Sequence, residues 1–101
     1  MESLHVLSDP VRLAIVESLA GEPMTVAVLA ERFPISRPAV SRHLRLLKDA
    51  GLVESDSEGT RRVYRVRPDG ISALRDYMDR LWQEAAARYT LAAENLPRTP
   101  R

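Results

Sequence analysis

Apolar residues recur every three or four positions in the first third of the chain, a spacing that is typical of helices. The first such helix is expected to begin at Ser8-Asp9-Pro10, where an oxygen side chain caps exposed N–H groups and proline fits the first turn, and to end at Gly21-Glu22-Pro23. A second helix is expected to begin at Thr25 and to end before Pro34, since proline disfavours helix in the residue before it. A short arm precedes both.

A third helical pattern follows a tight turn at residues 33–35. Ser36 is suited to cap this helix, Pro38 is tolerated in its first turn, and Gly51 can adopt the left-handed conformation that closes it. Two short helices joined by a tight turn are typical of a helix-turn-helix.

From residue 52 the pattern changes to β-type runs. Residues 52–55 and 61–67 are predicted strands, and the turn-forming residues 56–60 between them predict a hairpin. A long helix is expected over 71–95, with Pro97 after it and a loose tail at 98–101. The fold class is therefore mainly α with a small β-hairpin, a winged helix-turn-helix of order α-α-α-α-β-β-α in one domain over 1–97.

The third helix has an apolar back and a cationic front. On a helical wheel Val40, Leu44 and Leu47 share one side, while Ser41, Arg42 and Arg45 project from the other with Arg37 and Lys48 at its flank. The major groove admits such a helix, arginine pairs well with guanine edges, and serine hydroxyls and N-terminal amides suit phosphate. A solvated amphipathic helix is the alternative.

The predicted hairpin adds cations beside its glycine-containing tip, where a wing could straddle the phosphate backbone of DNA or reach its minor groove. Arg65 and Arg67 are expected at a solvated strand edge, and Tyr64 with Val66 towards the core. His43 borders the apolar stripe, so packing, helix capping and DNA contact all stay open for it. The candidate DNA-binding residues are Ser36, Arg37, Ser41, Arg42, His43, Arg45, Lys48, Arg61 and Arg62.

The last helix, about 38 Å long, is too long for the small domain before it to bury its apolar stripe. Its apolar positions alternate by threes and fours, as in a coiled-coil seam, which predicts a symmetric homodimer. A helix that folds back on its own core is one alternative, and an organic effector bound between two terminal helices is another. The candidate interface residues are Leu4, Leu7, Leu74, Met78, Leu81, Trp82, Ala85 and Tyr89.

Composition narrows the function classes. The 101 residues contain no cysteine and two histidines, which leaves no thiolate nucleophile and no convincing metal site, and no catalytic constellation is visible. No apolar run reaches the roughly 18 residues of a membrane span and no signal segment is apparent, so we expect a cytoplasmic protein that is not an enzyme. Residues 36–68 hold eight bases and four acids, which points to a polyanionic partner. A winged-helix module that binds an acidic protein remains the rival interpretation.

The chain resembles the ArsR-type (ArsR/SmtB) winged-helix transcriptional repressors. The similarity lies in LSDPVR at residues 7–12, VSRHL and LKDAGLV within 40–53, and GTRRVY at 59–64. The resemblance implies a homodimer on an inverted-repeat operator in double-stranded DNA, with Arg37, Ser41, Arg42 and Arg45 in the groove and Arg61 and Arg62 on the wing.

The chain departs from the family where many members sense metals. Thr25 and Ala27 stand where those members carry cysteines, and the last helix has no histidine. The expectation is a metal-independent regulator without a cofactor, whose effector, operator and sign of regulation stay open.

Overall fold

The computed structural model describes residues 2–95, which form five helices and three short strands. The predicted mainly α fold with a β-hairpin is confirmed, and an additional short strand joins the hairpin in an antiparallel sheet of order β1-β3-β2. The elements are α1 (Glu2–Val6), α2 (Pro10–Gly21), β1 (Met24–Thr25), α3 (Val26–Arg32), α4 (Arg37–Asp49), β2 (Val53–Glu58), β3 (Arg61–Val66) and α5 (Pro68–Asn95).

Side-chain caps fix the starts of the helices α2, α3 and α4, as the sequence predicts. The Asp9 carboxylate accepts hydrogen bonds from the N–H groups of Val11, at 2.8 Å, and Arg12, at 3.2 Å. The bond from the Arg12 N–H is the main cause of the lowered pKa of Asp9, and the nearby charges of Arg12 and His43 add to it. Thr25 caps α3 and Ser36 caps α4 in the same way.

The core lies where α2, α3 and α4 meet the sheet. Residues from all of these elements are fully buried: Ile15, Leu29, Val40, Leu44, Leu47, Leu52 and Val53. The short α1 is held on this core by two polar contacts, because the Ser3 hydroxyl donates to the Ala50 carbonyl at 3.2 Å and Arg12 Nε donates to the Val6 carbonyl at 2.7 Å. The N-terminal arm is therefore docked against the end of α4.

The hairpin is longer and tighter than predicted. Residues 56–58 were expected in a turn, but they pair with β3, and Glu58 lies opposite Arg61. Only Gly59 and Thr60 form the loop, and Gly59 has a φ of 64° while no non-glycine residue in the described chain has a positive φ. This combination is that of a type II′ turn, which suits the twist of a two-residue hairpin.

The strand β1 was not predicted. Met24 pairs with Tyr64 and Thr25 pairs with Val63. Two residues are too few to show the alternation that identifies a strand in a sequence. Their pairing depends on a distant partner, and Thr25 serves at the same time as the cap of α3.

The last helix begins three residues earlier than predicted. Pro68 and Asp69, which were expected in a linker, occupy its first turn, where proline and an acidic side chain are both favoured. Arg67 binds Asp69 through two hydrogen bonds, including 2.6 Å from Nη2 to Oδ2. This pairing lowers the pKa of Asp69 and raises that of Arg67. The predicted Pro97 and the tail at 98–101 lie outside the described residues.

A close backbone contact joins α5 to the end of α4. Gly51 follows α4 with a φ of 77°, the left-handed conformation predicted for it. Gly70 approaches it so closely that a Cβ at Gly70 would overlap the Gly51 carbonyl. The first turn of α5 therefore has one position relative to α4, and only glycine fits there.

We predict that Gly70→Ala destabilises the protein by about 1–3 kcal/mol, because the added methyl group must displace backbone. Gly21→Ala is the matched control, since a Cβ at Gly21 meets nothing within 4 Å. That control is expected to be neutral or to stabilise by up to about 1 kcal/mol. Urea unfolding of the two variants checks this, and equal stability of both would contradict the close contact.

The lowered pKa of Asp9 predicts an acid-sensitive contribution to stability. A depressed pKa means that the stabilisation is present above the unfolded value, about 3.9, and is lost as the pH falls through the lower folded value. Asp9→Asn is therefore expected to be less stable than the parent at neutral pH and to approach it in acid. Urea unfolding at several pH values measures this. Ser36→Ala removes an uncharged cap, so its effect should not vary with pH in that range.

Candidate nucleic-acid interface

The helix α4 divides cleanly into a packed side and an open side. Val40, Leu44 and Leu47 have no exposed surface. Arg37, Arg42 and Arg45 are exposed, and Ser41 between them is half-buried. The division follows from the i, i+4, i+7 spacing of the apolar residues, which places them on one stripe. The open side presents a row of guanidinium groups at the surface of the domain.

The cations of this surface are not neutralised by the protein. Every ion pair found within residues 2–95 uses Arg12, Arg32, Arg65 or Arg67. The candidate cations of α4 and of the hairpin form none, and α4 carries no acidic residue before its last position, Asp49. Three arginines of α5 are also without an ion pair, but they share that helix with acids. The front of α4 and the tip of the hairpin therefore form the part of the described surface where positive charge is concentrated.

The two arginines at the hairpin tip face opposite ways. Successive side chains on a strand alternate between faces. Arg62 lies on the face of Tyr64 and Val66, which pack on the core, and its Nη1 donates to the Ser55 hydroxyl at 3.1 Å. Arg61 lies on the outer face, opposite Glu58. The hairpin thus turns one arginine towards α4 and the other away from it.

Lys48 meets the same hydroxyl from the other side. Its Nζ lies 3.3 Å from Ser55 Oγ, so the end of α4 and the hairpin are joined at this residue. Ser55 was not among the predicted site residues, because the sequence placed it at the end of a strand. Its position two residues after the buried Val53 was the available signal, since it puts both on the inner face.

Arg65 and Arg67 were expected at a strand edge but do not lie there, because β3 is the central strand and Arg67 follows its last residue. Both are engaged in ion pairs instead. Arg65 pairs with Asp56 at 3.1 Å between Nη2 and Oδ2, and Arg67 pairs with Asp69. Both pairs are partly exposed to solvent.

Ser36 is exposed like the arginines, whereas His43 is less open. The Ser36 Oγ accepts from the Ala39 N–H at 3.3 Å, which leaves its own hydroxyl hydrogen free to donate. His43 is half-buried, its Nδ1 is buried without a hydrogen-bond partner, and it lies near Asp9 at the start of α2. This location favours packing over DNA contact for His43.

The candidate interface residues separate into two groups. Leu7 and Leu74 pack partly against the core of their own chain. The others are exposed, above all Trp82 at 75% and Tyr89 at 77%. Leu4 lies on α1, and the other exposed residues lie on α5, which projects from the body. The chain measures 71 × 27 × 21 Å, and its radius of gyration of 19.2 Å compares with about 13 Å for a compact chain of this size. Residues 81–94, in the projecting half of α5, are all exposed.

Neither a metal centre nor a membrane span emerges from the described part of the chain. Within residues 2–95 no three His, Asp or Glu side chains come together in an arrangement that could hold a metal ion. None of the helices there has the length and apolar character needed to cross a bilayer.

The sequence matches known regulators. Residues 7–56 fit the model of a helix-turn-helix domain family. The HTH-type transcriptional regulator Rv2034 of Mycobacterium tuberculosis is 52% identical over 85 residues, which cover 84% of this chain and 79% of that protein. The arsenical resistance operon repressor of Staphylococcus xylosus is 32% identical over 76 residues, or 75% of this chain and 73% of the repressor.

The fold matches solved structures of the same kind. An ArsR-like transcriptional regulator from Rhodococcus superposes with a TM-score of 0.81 at 28% identity, over 97% of this chain and 92% of that one. The homodimeric winged helix-turn-helix DNA-binding domain of a possible ArsR-family regulator from Mycobacterium bovis gives a TM-score of 0.66 at 27% identity, over 99% of this chain and 83% of that domain.

Proposed function

The chain belongs to the ArsR/SmtB family of winged helix-turn-helix transcriptional regulators, which bind DNA and are not enzymes, and from that premise we propose that it represses transcription as a metal-independent homodimer on an inverted-repeat operator. The observation that carries the proposal is the row of exposed, unpaired cations on the open side of α4. A major groove accepts a helix of this width, and its phosphates supply the missing negative charge.

Each part of α4 has a distinct role in this proposal. Arg42 and Arg45 read base edges, since a guanidinium can donate two hydrogen bonds to guanine. Ser36, Arg37 and Ser41, near the start of the helix, contact phosphate together with the free N-terminal amides. Lys48 and Arg62 contact the backbone beside the groove, and Arg61 contributes to the positive field of the wing tip.

The dimer forms through α5, and the exposed side chains of that helix support this assignment. Trp82 and Tyr89 bring a large apolar area to one face, and a second copy is the partner that a symmetric seam accepts. Met78, Leu81 and Ala85 extend that face, and Leu74 lies where the helix meets the core. Leu4 and Leu7 of the N-terminal arm add to the dimer contact. Two α4 helices one DNA turn apart, about 34 Å, then enter successive major grooves of an inverted repeat. A dimer bound across a promoter blocks polymerase.

The residues available for metal sensing support metal independence. The chain has no cysteine, and Thr25 and Ala27 occupy the positions where many family members have thiolate ligands. A threonine hydroxyl and a methyl group do not replace thiolates as ligands for soft or borderline metals. Occupancy of the operator then follows the concentration of the protein.

A second candidate is the same dimer under the control of an apolar organic effector. A groove of about 440 Å³ lies along α5 between Trp82, Ala85, Ala86, Tyr89 and Thr90. Aromatic walls with small residues between them suit a flat apolar molecule. In the dimer assignment the partner helix fills this groove.

We predict that Arg42→Ala weakens binding to the preferred operator by about 1–3 kcal/mol and relaxes base preference at one position. Arg42→Lys keeps the charge but loses the paired hydrogen bonds, so it should also lose the preference. The preferred operator is identified by selection from a library of random-sequence duplexes, and fluorescence anisotropy measures the affinities. Added zinc or nickel should leave these affinities unchanged.

Arg75→Ala is the matched control for Arg42, since Arg75 is an exposed arginine on α5 without an ion pair in the described structure. It is expected to bind like the parent. Equal weakening of Arg42→Ala on every sequence would reassign Arg42 to phosphate. A selection that yields no sequence preference at all would favour the rival protein-binding module.

Trp82→Glu is predicted to convert a dimer into a monomer at micromolar concentration, because it places a charge in an apolar seam. Gln83→Glu adds the same charge one residue away, on the polar side of α5, and should leave the dimer intact. Sedimentation equilibrium measures the mass. Trp82 is the single tryptophan, so its emission should shift to the red when the parent dissociates on dilution. A parent that sediments as a monomer would refute the dimer.

A further inference from the structure

Two cations converge on one hydroxyl at the junction of recognition helix and hairpin. Lys48 Nζ donates to Ser55 Oγ at 3.3 Å, and Arg62 Nη1 donates to the same atom at 3.1 Å. Lys48 belongs to the last turn of α4, Ser55 to β2 and Arg62 to β3. Three separate elements are therefore needed to assemble the cluster.

The charges of this cluster are not balanced. A hydroxyl oxygen has two lone pairs and can accept from both nitrogens, but it carries no net charge. Neither Lys48 nor Arg62 forms an ion pair within the described structure. The acids of β2 point away from the cluster, because Glu54, Asp56 and Glu58 lie on the outer face of the strand. Two like charges held side by side without a counter-charge repel each other, and a bound anion would remove that repulsion.

We propose that Lys48, Ser55 and Arg62 form a clamp that binds one phosphate of the DNA backbone between the groove read by α4 and the wing. The clamp rests on the proposed DNA-binding function and deepens it, since it assigns two cations to a single phosphate. Both nitrogens lie within hydrogen-bond distance of the same oxygen, so one phosphate can receive both. Lysine supplies a point charge, and arginine supplies a planar donor with fixed geometry.

Ser55 is the positioning residue of this clamp. Its hydroxyl holds the two cations together before DNA arrives, and it fixes the hairpin to the end of α4. Because the ordering occurs in the free protein, DNA binding does not have to supply it. Arg61 has no place in the clamp, although it precedes Arg62 directly and carries the same charge.

The experiment measures affinity for a fluorescein-labelled duplex of random sequence at several salt concentrations, since a phosphate contact does not depend on sequence. The variants are Lys48→Ala, Arg62→Ala, their combination, Ser55→Ala and Ser55→Thr. Arg75→Ala, outside the proposed binding surface, is the control, and Arg61→Ala is the comparison within the hairpin. All of these side chains are exposed or half-buried, and thermal unfolding verifies that each variant folds.

The salt dependence separates one shared phosphate from two independent ones. The slope of log binding constant against log salt concentration is compared between the parent and the double variant. Loss of one phosphate contact is expected to make this slope shallower by about 0.9, whereas loss of two would change it by about 1.8. The double variant should lose less affinity than the product of the two single losses. Ser55→Ala should weaken binding by about threefold to tenfold, while Ser55→Thr, which keeps the hydroxyl, should stay near the parent.

Three results would overturn the clamp while the parent still binds DNA. The first is a double variant whose loss of affinity equals the product of the two single losses, and the second is a change of about 1.8 in its salt slope. The third is a loss of affinity in Arg61→Ala equal to that in Arg62→Ala. Failure of the proposed function gives a different result, because the parent itself then binds no duplex, and the clamp falls with it.

Discussion

The burial of one apolar stripe on α4 is the constraint on which the rest of the domain depends. Val40, Leu44 and Leu47 are completely enclosed, and each such side chain contributes about 1.5–3 kcal/mol relative to an exposed one. A helix with three such anchors has one rotational setting against the core. Its other side is then left without packing partners, so it can carry charge at little cost to folding. The same periodicity that builds the core therefore creates the cationic surface that we propose for DNA binding.

The distribution of ion pairs separates the arginines that the protein itself neutralises from those that it leaves unpaired. Arg65 and Arg67 meet carboxylates within hydrogen-bond distance, and these pairs contribute little stability because they are partly exposed. The pairing nevertheless neutralises the positive charges of Arg65 and Arg67, so these charges attract a polyanion less. On β3 successive side chains lie on opposite faces of the strand, so Arg62 points towards α4 and Arg61 points away from it. Composition alone reports only that the middle of the chain is basic.

Much of this fold could be predicted from signals between neighbouring residues. The parts that could not be predicted depend on pairing between residues far apart in the sequence. The caps Asp9, Thr25 and Ser36 act on amides two or three residues away, so the sequence carries the information for each helix start in one place. The strand β1 has no such signal, because Met24 and Thr25 become a strand only when Tyr64 and Val63 lie beside them. The same holds for the site: the stripe and the row of arginines on α4 follow from spacing, whereas the role of Ser55 depends on side chains seven residues away in both directions.

The joint between α4 and α5 connects the helix that we propose for DNA binding to the helix that we propose for dimerisation. Gly70 lies against the Gly51 carbonyl, and Arg67 donates its backbone N–H to the Leu52 carbonyl at 2.9 Å, so α5 leaves the domain without a flexible linker. A helix fixed in this way transmits its orientation to the body from which it projects. In a dimer built on α5, the packing of the two helices would therefore set the distance between the two copies of α4. A small change of tilt in that seam alters the spacing of the recognition helices without any change in the residues that contact DNA.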